Sequence, residues 1–293
     1  MPICGFTRTV VVMNEHDIDI DWDVIIVGRS YAGLSTALTL GRARWATLLV
    51  GEGGPRNEAV RHVHGLLTRD GADPAEIVRI AEDELARYET VQIATDHVGG
   101  IERIDGGFRV HLGPSTSTAR AVVLATGVND NPPAVAGLSE HWGRGVFTCP
   151  FCDGFERADR PWVLITDEAA PQHVTMLGNW ASSVAVHTPD EVRRVHGDGE
   201  EVTHVELVDG TKLEAAAVFV GQTFTPNNRL ALDLGCAVDE RGLVVVDAMN
   251  QTTVDGVYAI GDLTRLGHHM SHAIADGTTA AAAITHRLLT TSA

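Results

Sequence analysis

The 293 residues suffice for one large or two modest domains, and 44% hydrophobic content supplies an ordinary globular core. A formal net charge of −17 argues against a phosphate-binding surface of clustered Lys and Arg, and so against nucleic acid as a partner. No run of eighteen uncharged apolar residues predicts a membrane span, and four cysteines are too few for a disulfide framework.

In chain order, residues 1–20 read as a disordered leader. The apolar run Val10–Met13 is too short for a secretion signal, so the expected compartment is the cytoplasm. Asp23–Val27 then predicts a strand, Gly28-Arg29-Ser30-Tyr31-Ala32-Gly33 a turn, and Leu34–Arg42 a helix. Strand, glycine turn and helix in that order can open a dinucleotide-binding unit. Gly28 permits the tight turn, Gly33 lets helix and strand approach, and the helix N-terminus suits a pyrophosphate. Ser30 replaces the middle glycine, so this segment alone also admits a turn with no ligand. A second strand, Thr47–Val50, runs into Gly51 and Glu52, whose carboxylate has the spacing to meet ribose hydroxyls. Val122–Leu124 is a further strand, ending at Ala125-Thr126-Gly127.

The Cys149-x-x-Cys152 pair opens a different segment. It continues with a strand (Trp162–Thr166), a helix (Ala170–Trp180), a strand (Ser183–His187) and paired strands about Asp209-Gly210. Cys236, within an apolar stretch, reads as a buried structural thiol. Gly256–Ile260 is a strand ending in Gly261-Asp262, and a helix follows at Ile274–Leu289. The predicted fold is α/β with two Rossmann-like domains, the second reduced in size and inserted in the first. The first would span 21–147 and 243–293, and the insert 148–242. Half a zinc site is an alternative reading of the cysteine pair. It lacks a second Cys-x-x-Cys, so the favoured reading is a redox dithiol with no metal.

The motifs GRSYAG, VVLATG, CPFCDGFE and GVYAIGD, in that order, resemble the thioredoxin-reductase-like flavoprotein disulfide oxidoreductases. The resemblance implies FAD. It places Gly28, Ser30, Tyr31, Ala32 and Gly33 at the pyrophosphate, Glu52 toward the adenosine ribose, and Asn57, Ala125, Thr126 and Gly127 along the cofactor. Gly261 and Asp262 would meet the ribityl chain or pyrophosphate, and His269 and Met270 the flavin pyrimidine edge. It also implies that Cys152 stands against the flavin, that Cys149 exchanges with substrate, and that Asp153 carries protons, provided burial raises its pKa.

Two departures stand out against the NADPH-dependent members. The segment Val163–Ala170 has no glycine turn, and the strand ending at His187 is followed by Thr188-Pro189-Asp190 rather than basic residues. Arg193 and Arg194 come too late and fit a helix surface. The closest likeness is then to FAD-dependent dithiol oxidases of natural-product biosynthesis, which pass electrons to oxygen. Asp153 itself follows the reductase pattern. The expected substrate is a small-molecule dithiol or disulfide, with thioredoxin or ferredoxin as alternative partners and a homodimer as the assembly. His62 and His64 stand where the chain can fold back over the flavin. Of His268, His269 and His272, one reads as a flavin or partner-subunit contact in preference to a metal cluster of the three, and Trp142 and Trp180 read as packing residues.

Overall fold

A computed structural model describes residues 20–167, 171–199, 201–221 and 223–290, so nearly all of the expected leader lies outside the described residues. The chain begins with β1 (Trp22–Val27), α1 (Tyr31–Arg42), β2 (Thr47–Val50), α2 (Pro74–Leu85) and β3 (Val91–Ala94). A meander of β4 (Val98–Ile104), β5 (Gly107–Leu112) and β6 (Ser115–Leu124) follows, and then β7 (Val128–Asp130). The strands β3, β2, β1 and β6 run parallel in that order. Their apolar runs are continuous because both sheet faces are covered. One face packs Ile25, Val27 and Leu48 on the meander. The other packs Val24, Ile26 and Leu49 on helices. The long β6 serves twice, since its first half pairs with β5 and its second half with β1.

The chain then builds a second body. It comprises β8 (Val146–Phe147), the one-turn helix α3 (Pro150–Asp153), β9 (Pro161–Ile165), α4 (Pro171–Leu177) and β10 (Ser183–His187). An antiparallel trio, β11 (Val192–Gly197), β12 (Val202–Leu207) and β13 (Lys212–Glu214), precedes β14 (Ala217–Val220). The order β10-β9-β14-β8 is parallel throughout. Finally β15 (Phe224–Pro226), α5 (Arg229–Asp233), β16 (Val257–Ala259) and α6 (Met270–Thr290) return to the first body. There β16 pairs with β6, and α6 lies against α1.

Packing moves the expected domain boundaries. Val135, Leu138 and Val146 already belong to the core of the second body, so the chain crosses over before residue 147. Leu230, Ala231, Cys236 and Val244 are packed with Ile25 and Phe108, so it has returned before residue 243. The two crossings run side by side where β15 pairs antiparallel with β7. Arg193 and Arg194 lie on strand β11, not on a helix, because the turn at 189–191 feeds directly into the antiparallel trio. Cys236 is buried, its thiol pushed up by that burial and set 3.4 Å from Thr252 Oγ1. Among the described residues no helix is long and apolar enough to cross a membrane.

Candidate active site

Loops leaving β1, β2, β6 and β16 converge on a cleft of about 890 Å3 at the carboxyl edge of the parallel sheet. Gly28 turns there at φ +117°, and a Cβ in its place would stand 2.2 Å from the Ala125 carbonyl oxygen. Gly33 lies behind the lining, where a Cβ would meet the Gly28 oxygen at 1.9 Å. Its part is to bring α1 against β1. Ser30 caps α1 without a side-chain bond to the helix, and the first turn carries no acidic residue. Nothing there repels an anion at the first N–H groups. On the same wall Arg29 donates to Thr95 and meets Glu82 at 2.7 Å, yet its Nε is buried with no partner. An unmet donor of this kind suits an anionic ligand.

The other predicted residues come to the same place. Tyr31 Oη donates to Asn57 Oδ1 at 3.1 Å, and Asn57 Nδ2 contacts Met270 Sδ at 3.7 Å. Burial pushes the Tyr31 phenol up to about 12, against the smaller opposing effect of Asn57, so it stays a neutral donor. Ala32, Thr126, Gly127, Gly261, Asp262 and His269 all line the cleft. Glu52 stands at the exposed mouth, paired with His97 at 3.1 Å. Trp142, expected only to pack, lines the cleft as well.

Sequence reasoning missed Arg56, which sits in no motif. Its guanidinium grips Asp130 with two nitrogens and Asp262 with a third contact at 2.8 Å, and Nη1 lies 2.7 Å from His268 Nδ1. Asp262 therefore reaches the cleft already held by a cation, tied to the end of β7. The glycine cradle, the open helix N-terminus, the unmet Arg29 donor and the cleft volume together fit FAD.

At the far end of the cleft the second body presents Cys149 and Cys152. Cys149 caps α3 in extended conformation and Pro150 starts the turn, so the two cysteines sit one helical turn apart. Their Cα atoms are 5.3 Å apart and their sulfurs are bonded. Asp153 follows directly. Burial is the main cause that raises its carboxyl from 3.8 to about 6, against Arg157 and His64, which pull it down. Arg157 itself lies over the Phe147 ring at 4.3 Å. His64 comes from the loop after β2, with Nε2 3.4 Å from Glu156 and Nδ1 3.7 Å from Asp70. His62 and His64 both line the cleft, while His269 and His272 pack edge to face at 5.8 Å. Among the described residues no group of three His, Cys, Asp or Glu is placed to hold a metal.

A dinucleotide cleft ending in a disulfide, with a near-neutral carboxyl beside it, defines a flavin-linked disulfide oxidoreductase. Comparison with known proteins agrees. The pyridine nucleotide-disulphide oxidoreductase family matches residues 22–179 and 166–277, and the chain belongs to that family. It is a thioredoxin-reductase-like flavoprotein that uses FAD. Over 277 residues it is 30% identical to a thioredoxin reductase of Listeria innocua, a match covering 83% of this chain and 86% of that protein. Over 147 residues it is 39% identical to a probable thioredoxin reductase of Arthroderma benhamiae. That match covers 48% of this chain and only 36% of the relative. A crystal structure of an oxidoreductase from Agrobacterium tumefaciens superimposes with a TM-score of 0.84 at 35% identity, over 92% of this chain and 99% of that one.

Proposed function

We propose that the protein oxidises a small-molecule dithiol to its disulfide with dioxygen as final acceptor, giving one hydrogen peroxide per disulfide. The observation that carries this reading is the carboxyl edge of the second sheet. The resemblance would put NADPH phosphates there, but β9 ends at Ile165 and is followed by Thr166 and Asp167, with residues 168–170 outside the described part. β10 ends at His187, whose Nδ1 faces the Glu191 carboxylate at 3.0 Å. Arg193 and Arg194 are engaged elsewhere, with Glu206 at 3.1 Å and Glu140 at 2.6 Å. Phosphates brought to this edge would meet carboxylates rather than donors. The remaining entrance for electrons is the disulfide.

In the proposed reaction a substrate thiolate attacks one cysteine sulfur, breaking the Cys149–Cys152 bond and forming a mixed disulfide. The second substrate thiolate then attacks its partner sulfur, which closes the product disulfide and releases both cysteines as thiols. Asp153, as a carboxylate above about pH 6, takes the proton of the incoming thiol and returns it to the departing cysteine. Bound FAD supplies the two-electron acceptor that restores the protein disulfide. Both cysteines line the cleft, and the resemblance assigns Cys152 to the flavin side and Cys149 to substrate exchange. A homodimer formed through the FAD body and residence in the cytoplasm belong to the same proposal.

Asp153 and the name of the Listeria relative favour a second reading: a reductase of thioredoxin or a small disulfide, fed by NAD(P)H or a donor such as ferredoxin. An oxygen electrode separates the two. Oxygen uptake matching dithiol consumption one for one supports the oxidase. NADPH-driven disulfide reduction with no uptake from any dithiol establishes the reductase. Cys149→Ser and Cys152→Ser should each lower dithiol oxidation by about 10³-fold or more, because both thiols are needed to pass an electron pair. Near-normal oxidation by Cys149→Ser would remove the cysteine pair from the reaction.

A further inference from the structure

A second, outer cavity, of about 290 Å3, opens beside Cys152. Cys152 and His64 line both this pocket and the cleft, so the cysteine turn is the wall between them. Two aromatic side chains from the turn border the pocket, Phe151 at 71% and Phe155 at 81% exposure. Phe151 leans edge-on against Trp180, with ring centroids 5.3 Å apart. Leu67, 88% exposed, stands on the opposing loop two residues beyond Gly65. Leaving aromatic rings this exposed beside a reactive sulfur costs free energy that a ligand would recover by covering them.

The polar side of the pocket carries two acidic side chains, Asp70 and Glu156, against one base, His64. The carboxylates of Asp70 and Glu156 flank His64, and Asp153 lies within electrostatic reach of both His64 and Glu156. Neither Lys nor Arg lines this pocket. Of the nearby cations, Arg157 is turned onto the Phe147 ring, and Arg69 folds back on the Thr68 carbonyl.

We propose that this outer pocket selects the substrate, and that it takes a dithiol with an apolar or aromatic body and a cationic or neutral charge, discriminating against anionic dithiols. The inference rests on the dithiol oxidase reading and names the substrate class for it. The rings hold the body, the two carboxylates set the charge preference, and the thiols reach the disulfide through Cys152, the one cysteine in the pocket lining, so a substrate held here attacks Cys152 first, in place of the Cys149 that the resemblance assigns to exchange. The volume suits a small molecule; a protein loop as occupant is an outcome of the test.

Two measurements on the FAD-loaded protein test this. The first uses dithiols that share one reacting 1,3-dithiol and apolar chain and differ in charge: dihydrolipoate, dihydrolipoamide and its N-(2-aminoethyl) derivative. Flavin bleaching under anaerobic conditions should be about tenfold more efficient with the cationic member than with the anionic one. In Asp70→Asn/Glu156→Gln the spread should fall below about threefold. Phe155→Ser should weaken all three relative to dithiothreitol, which has no apolar body to cover. Equal efficiency across the series, or a spread untouched by the double variant, would overturn the proposal. So would rapid reduction by a protein dithiol that is indifferent to these substitutions.

The second measurement does not depend on turnover. In Cys149→Ser, a cationic methanethiosulfonate should modify Cys152 about tenfold faster than an anionic one, and the double variant should erase that ratio. A ratio near one overturns the pocket's charge preference. A large ratio in a protein whose flavin no dithiol bleaches leaves the pocket standing and removes the oxidase reading, so the two failures are told apart.

Discussion

Asp153 is a carboxyl whose cost to the fold and use in the reaction have one origin. Its folded pKa of about 6 lies above the ordinary 3.8, so ionisation opposes folding. That opposition is absent below about pH 4 and complete above about pH 6. Asp153→Asn should therefore raise the melting temperature by a few degrees at pH 8 and leave it unchanged near pH 4. The same variant should slow dithiol-driven bleaching by about 10²-fold and flatten the rise in rate through pH 6. A pH profile identical to the unsubstituted protein would show that the carboxyl carries no proton. Arg56 poses the opposite problem, a cation shared by two half-buried carboxylates. Arg56→Met should cost about 2 kcal/mol in urea unfolding, less than for a fully buried pair because all three groups keep some exposure. Arg56→Lys should recover part of that, since an ammonium cannot match the forked grip. Asp262→Ala should weaken FAD binding about tenfold, read by titrating apoprotein with the cofactor. The places of Cys149, Cys152 and Asp262 at the cleft were legible because each sits in a short motif with fixed neighbours. Arg56 was not, because its partners are 74 and 206 residues away in sequence.

At the scale of elements, α6 packs closely against α1 in the first body. A Cβ at Gly277 would lie 2.5 Å from the Ala32 carbonyl oxygen, a backbone atom that cannot swing aside. Gly277→Val should cost about 3 kcal/mol, whereas Ala282→Ser on the exposed side of the same helix should change stability by less than about 0.5 kcal/mol. Equal effects would mean that α6 does not pack as described. Parallel strands such as Val24–Val27 were readable because burial on both faces makes the whole run apolar. The meander was not read, since Gly99, Gly100, Gly106 and Gly107 interrupt its strands and only alternate residues, among them Phe108 and Val110, face inward. Helix α2 went unread despite a usable signal: Asp73 caps its N-terminus by accepting from Ala75 and Glu76, and Pro74 occupies the first turn.

At the scale of the molecule, two bodies share one disulfide: the first holds the cofactor cleft, and the second contributes the cysteine turn that closes its end. The two-body plan was legible from the order of strand-and-glycine endings. The crossing points were not, because β7 and β15 are three residues each, too short to leave a periodic pattern, and pair only across the gap. In the proposed reading the second body also sets the direction of electron flow, through the acidic edge at β9 and β10. Anaerobic stopped-flow mixing of the FAD-loaded protein with a dithiol, NADPH and NADH in turn tests that most directly. Bleaching by the dithiol, with neither nicotinamide acting at a useful rate, is the predicted result. Full bleaching within a second by micromolar NADPH would contradict the oxidase reading and make the protein a reductase.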